Sequence, residues 1–188
     1  MKKIVGVIAL LFLFNFYASS QVEIGGIVMP KVMKVGDQYI KMNGGGVRQK
    51  YWIDLYIGVL YVTNKTSDAD KIMNADEPMA IKLRVVSGMV SNSKLEDALR
   101  DGIDKSTGGN ISPLKDRMEK MISIGFKDDV EDGDVFDLIY VPGKGTTLQK
   151  NNAVLVTVPG LDFKKALFGV WLCDDPAQES LKKKMLGL

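Results

Sequence analysis

One guanidinium stands at the entrance to the most apolar strand segment of this chain. Arg48 follows Gly44-Gly45-Gly46-Val47 and leads into Tyr51-Trp52-Ile53-Asp54-Leu55-Tyr56-Ile57-Gly58-Val59-Leu60-Tyr61-Val62, which reads as a strand apolar on both faces. An arginine in that setting either snorkels its charge to water or receives an anion inside an otherwise apolar site. Tyr56 and Tyr61 follow it as candidates, since a phenol adds a hydrogen bond to whatever the guanidinium holds. The plainer reading makes Arg48 a strand residue at the surface and Tyr56 a piece of core. Met118 and Met121, with Met89 nearer the middle of the chain, suit a pocket for a flexible apolar ligand because thioethers pack against irregular shapes. Methionines at helical spacing are more often ordinary core.

The absences narrow the chemistry. The chain contains no histidine, which removes Ser-His-Asp and Cys-His nucleophilic sites and disfavours zinc or haem-histidine centres. Cys173 is the only cysteine, so an intramolecular disulfide cannot form, and a buried thiol is expected in preference to a link between chains. Gly143-Lys144-Gly145-Thr146 lacks the spacing of a phosphate loop and is read as a hairpin turn. Asp128, Asp129, Glu131, Asp132 and Asp134 do not follow an EF-hand pattern and are read as a solvated acidic turn. No cofactor and no metal are expected.

The elements around these residues follow from punctuation and period. Lys2 and Lys3, an apolar run from Ile4 to Tyr17 and the small residues Ala18-Ser19-Ser20 make residues 1–20 a secretory leader, with cleavage before Gln21. No cysteine follows the small residues, so lipoprotein processing is not expected. The expected product is a soluble exported protein, periplasmic or secreted, with no membrane span left after cleavage. Removing the two leader lysines from 25 basic residues leaves 23 against 23 acidic ones, a balance that argues against nucleic acid as a partner. Residues 21–188 are expected to form one domain.

Residues 22–42 read as one or two strands, 46–62 as one strand, and 80–86 as a strand with Lys82 and Arg84 on a wet face. Ser93 and Glu96 have capping-box spacing ahead of a helix with the stripe Leu95, Ala98, Leu99, Gly102 and Ile103. Ser112-Pro113 is read as the start of a second helix with the stripe Leu114, Met118, Met121, Ile122 and Gly125. Strands at 134–141 and 153–158 follow. Then comes a helix capped by Asp162 and running through Leu172, and a last one opened by Asp175-Pro176 that carries Leu181, Met185 and Leu186, with the basic run Lys182-Lys183-Lys184 near its carboxyl end. Strands, helices, a hairpin and helices again imply an α+β fold: an antiparallel sheet with helices layered on one face.

Two spaced motifs add a resemblance. Gly46-Val47-Arg48 with Tyr56, Gly58, Leu60 and Tyr61 is one; Phe163-Lys164-Lys165-Ala166-Leu167-Phe168-Gly169-Val170-Trp171-Leu172 with Asp174-Asp175-Pro176 is the other. Over residues 22–188 the chain resembles the chalcone isomerase-like family, in its bacterial exported branch. The resemblance implies an open-faced sandwich. By analogy with the fatty-acid-binding relatives, it implies that Arg48 and Tyr56 hold a ligand carboxylate. A guanidinium grips a carboxylate through two parallel hydrogen bonds. On one unbroken strand the two residues would lie roughly 26 Å apart, at ~3.3 Å per residue. They meet only if the chain folds back, and residues 49–55 contain no glycine to mark a turn. The tyrosine, lysine and threonine that the isomerases carry have no counterparts, and the matching stretch, 91–99, has no tyrosine.

The leading expectation is an exported, non-catalytic protein that binds a fatty acid or similar apolar carboxylate. The alternatives are an interaction or structural protein with a filled core and a divergent isomerase of the intramolecular lyase type.

Overall fold

Alternation with period two and tight turns build most of the molecule. The computed structural model describes residues 21–188; the expected leader lies outside the described residues. Strands β3 (Val32–Val35), β4 (Gln38–Lys50), β5 (Ile53–Val62), β6 (Met79–Val85), β7 (Val135–Val141), β8 (Gly145–Lys150) and β9 (Ala153–Val158) lie side by side in chain order, every pair antiparallel. β1 (Gln21–Ile24) and β2 (Ile27–Pro30) form a separate hairpin. Helix α1 (Ala69–Asn74) joins β5 to β6, and α2 (Asn92–Ser106) and α3 (Lys115–Gly125) join β6 to β7. Helices α4 (Leu161–Leu172) and α5 (Glu179–Met185) close the chain. The α+β expectation holds.

The two faces of the sheet are covered differently. Tyr56, Leu60 and Val62 of β5 join the main core with Ile81, Phe136, Leu138 and the helices. Ile57, Val59 and Tyr61 face the opposite way, into a second core with Ile40, Met29 and the β1–β2 hairpin. This is why β5 is apolar on both faces: helices cover one and a hairpin the other. Lys82 lies on that second side but is not simply wet. It pairs with the buried Asp137 at 2.6 Å.

Helix α4 is buried on nearly all sides and forms the middle of the helix layer. Its Lys164 is 0% exposed and caps the end of α1 by donating to the carbonyls of Ile72, Met73 and Ala75 at 2.7–3.0 Å. Burial lowers its pKa to about 8. Gly102 of α2 packs so closely on α4 that a Cβ would come within 2.6 Å of Val170. On α3 the expected stripe is buried as read.

Several local expectations are corrected. Residues 22–42 hold three short strands and the start of β4, and 46–62 is two strands. A further strand, β8, lies between the two expected near the carboxyl end. Helix α2 begins at Asn92, so Ser93 falls inside its first turn, and the N-cap Ser91 makes no side-chain cap bond. The Asn92 amide instead donates to the carbonyls of Phe126 and Asp128, and its oxygen accepts from the Val130 N–H, tying the helix start to the loop before β7. Ser112-Pro113 opens a single 3₁₀ turn ahead of α3. Gly160, at φ 109°, precedes α4 at the cap position expected for Asp162. Helix α5 begins after Gln178, three residues beyond Asp175. Its last turn carries Lys182, Lys183 and Lys184, where cations complement the helix dipole.

Candidate functional site

The site is made by a fold-back that the sequence does not announce. Tyr51 and Trp52, at φ 51° and 64°, form a two-residue turn between β4 and β5. Left-handed backbone at both central positions matches the right-handed twist of a hairpin. The chain therefore returns on itself, and Arg48 becomes the direct cross-strand partner of Tyr56. The separation expected on one strand collapses to neighbouring side chains on one face, roughly 5 Å between Cβ atoms.

A bulge then re-aims the strand. Gln49 pairs with Asp54 and Arg48 with Tyr56, so Leu55 is an extra residue on β5. Strict alternation would turn Tyr56 away from the face that Leu55 occupies. With the bulge, Leu55 and Tyr56 both border the same cavity.

That cavity has a volume of about 610 Å³ and lies between sheet and helices. Leu83, Phe136, Leu138 and Leu148 line it from the sheet, and Leu95 and Leu99 of α2, Met121 of α3 and Val170 of α4 from the helix layer. Its volume falls within the ~300–1,000 Å³ of pockets that enclose small ligands. Polar groups gather at one end. The Trp171 indole N–H donates to the Tyr56 hydroxyl at 3.0 Å. Arg48 donates through Nη1 to the Gln49 carbonyl at 2.6 Å and to Gln178 Oε1 at 3.0 Å. The same amide oxygen accepts from the Gln49 N–H at 2.8 Å.

Among the described residues, no carboxylate lies within ion-pair distance of Arg48. Burial pushes the Tyr56 phenol above its ordinary pKa, against the opposing pull of the Trp171 N–H and the Arg48 charge. Tyr56 thus keeps its proton, and its oxygen already accepts from Trp171. A positive charge and a phenol with a proton to give meet at the end of an apolar cavity, with the Gln178 amide oxygen bonded to the guanidinium. This arrangement can hold an anionic head group with an apolar body behind it.

The residues singled out from the sequence divide three ways. Arg48, Tyr56 and Met121 border the cavity. Met118 is buried core away from its wall. Tyr61 is not brought to the site at all. It faces the second core, where its hydroxyl donates to the Pro30 carbonyl at 2.7 Å, because five residues beyond Tyr56 a period of two reverses the side chain. Gln178 and the site role of Trp171 escape sequence reasoning. Trp171 lies inside one of the two spaced motifs, whereas Gln178 comes from far along the chain with no local signal. Lys94, in the stretch that matches the isomerase positions, is exposed at the rim of the cavity and donates to the Met89 carbonyl at 2.8 Å. Cys173 is half-buried, and burial raises its thiol pKa.

Comparison with known proteins agrees with this architecture. The comparison with curated proteins gives no match. Among solved structures, the chain is similar to the fatty-acid binding protein AtFAP1 of Arabidopsis thaliana, with a TM-score of 0.70 at 16% sequence identity. The alignment covers 88% of this chain and 95% of that one, and at such identity the likeness is one of fold. The family model described as chalcone isomerase-like matches residues 21–187, almost the whole of the described chain. The protein belongs to the chalcone isomerase-like family.

Proposed function

We propose that this protein binds a long-chain carboxylate, a fatty acid or a close analogue, and does so without chemical turnover after export from the cell interior. The observation that carries the reading is the Arg48–Tyr56 cross-strand pair at the polar end of an apolar cavity of about 610 Å³. The carboxylate would displace Gln178 from Arg48 and accept the Tyr56 proton, and the hydrocarbon tail would lie against Leu83, Phe136, Leu138 and Val170. The Arabidopsis fatty-acid binding protein, which shares this fold, supports the reading. The cavity tells against a filled core.

The deciding experiment is calorimetric titration with fatty acids of graded chain length. Wild type should bind them, and Arg48→Ala should weaken binding by ~1.5–3 kcal/mol, the range for hydrogen bonds to a charged group. Arg48→Lys should also weaken it, because a point charge cannot form the bidentate pair. Failure of any carboxylate to bind wild type would end the proposal. The non-catalytic part predicts no chalcone cyclisation above buffer. Stretch 91–99 supplies no tyrosine, and Lys94 is engaged at the rim with the Met89 carbonyl. Export predicts an amino-terminal sequence starting at Gln21 in secreted material; intact Met1 in a membrane fraction would overturn that part.

A further inference from the structure

The β4–β5 turn holds the wrong residues for its backbone. Left-handed two-residue turns favour Asn and Gly, and the β8–β9 turn obeys this with Asn151 and Asn152 at φ 51° and 69°. Tyr51 and Trp52 occupy the same conformation with bulky aromatic side chains. Packing within the chain offsets little of this: Tyr51 is 79% exposed, with only Lys50 Nζ over its ring at 5.7 Å from the centroid, and Trp52 is 96% exposed. Met89, 52% exposed on the loop before α2, borders the same cavity as Tyr51. Lys50 and Lys94 lie on that rim. An exposed aromatic pair in a strained turn at the mouth of an apolar cavity needs an external partner to account for it.

We propose that this rim is a membrane-docking tip: Tyr51 and Trp52 enter the interfacial layer of a lipid bilayer, with Lys50 and Lys94 among the head groups. Docking sets the cavity mouth against the bilayer, so that the ligand passes between lipid and protein without crossing water. The transfer step rests on the carboxylate-binding reading above. Three exposed apolar side chains fall far short of the ~800 Å² per partner that a stable protein interface buries. An aromatic tip needs no such area, because Trp and Tyr rings favour the membrane–water interface on their own. Asp97 and Asp101 also border the rim, so its charge is mixed. Attachment is therefore driven by the aromatic rings and depends little on anionic lipid or salt. It is peripheral attachment, since no helix among the described residues is long and apolar enough to cross a membrane.

The test is co-flotation of residues 21–188, which contain the whole described fold, with phosphatidylcholine vesicles, with and without phosphatidylglycerol. Wild type and Trp52→Phe should float. Trp52→Gly should lose about tenfold in partitioning, the scale set by one large apolar side chain. Glycine suits a φ of 64°, so this loss cannot come from unfolding. Trp52 does not border the cavity, so oleate affinity in solution should stay unchanged while transfer of labelled oleate from vesicles slows. Flotation of Trp52→Gly equal to wild type, or no flotation of wild type, overturns the docking tip. A solution dimer that Trp52→Gly dissociates overturns it too, by making the tip a contact between copies. Wild type that floats but binds no oleate sinks the carboxylate reading and supports the docking tip.

Discussion

Two stretches of the β4–β5 ribbon, one at Gly44–Gly46 and one at the Arg48–Tyr56 pair next to the turn, answer to opposite demands. Midway along β4, Gly44 and Gly46 lie under α5. A Cβ on Gly44 would collide with the Lys184 carbonyl and come within 3.0 Å of the Met185 carbonyl, and one on Gly46 would come within 2.6 Å of Lys184 Cδ. Asn43, an extra residue on β4 at that point, donates to the carbonyls of Thr66 and Met185 and locks the helix end down. Next to the turn Arg48 and Tyr56 carry long side chains, and a cavity remains between sheet and helices. The difference teaches that a contiguous motif need not have a single purpose. At Gly44 and Gly46 the group that approaches the backbone is helix α5, whereas Gly45 faces Val59 and Ile24 on the opposite side of the sheet.

Substitutions at the two stretches should separate these roles. The largest effect is expected on the filled side. Gly44→Val should destabilise the fold by about 3 kcal/mol, the upper part of the range for overpacking, because the atoms in its way are backbone and cannot rotate aside. Urea unfolding reads this as a lower midpoint, and an unchanged midpoint would mean that α5 can lift off the sheet. Arg48→Ala should cost less than about 1 kcal/mol and so shift the same midpoint far less, since Gln178 Oε1 keeps its bond from the Gln49 N–H. If Arg48→Ala proves as damaging as Gly44→Val, both stretches are structural and the comparison breaks.

Tyr56→Phe sharpens the hollow side. It should weaken fatty-acid binding by about 1 kcal/mol, the net worth of one hydrogen bond, as read by calorimetry. Equal affinity would place the head group elsewhere. The smallest expectation concerns pH. Burial raises the Tyr56 pKa, so the folded protein keeps the phenol proton through the ordinary tyrosine range. The affinity difference between wild type and Tyr56→Phe should therefore stay constant from about pH 7 to 10. A difference that falls by about half near pH 10 would instead show an accessible phenol ionising at its ordinary pKa.

Elements whose signal is local are legible in the residues alone. Residues 114, 118, 121, 122 and 125 repeat at helical spacing, and they form the buried face of α3 and the turn that leads into it. The Gly143-Lys144-Gly145 turn joins two antiparallel strands as its residues imply, and β6 forms where alternation places it. Helix starts are less legible. Ser93, Ser112, Asp162 and Asp175 all have capping chemistry, yet side chains such as Asn92, bonded to a distant loop, decide where a helix begins.

What the sequence determined by itself is the chemistry on offer and the fold class: a chain without histidine, one guanidinium at the mouth of an apolar segment, and the order of strands and helices. Only the tertiary structure decided that Arg48 meets Tyr56, that Tyr61 and Met118 do not join them, and that Gln178 and Trp171 do. The reason lies in long-range packing. A hairpin forced through Tyr51-Trp52 and a one-residue bulge at Leu55 set the register. These features are stabilised by a sheet covered on both faces rather than by the propensities of the residues that adopt them.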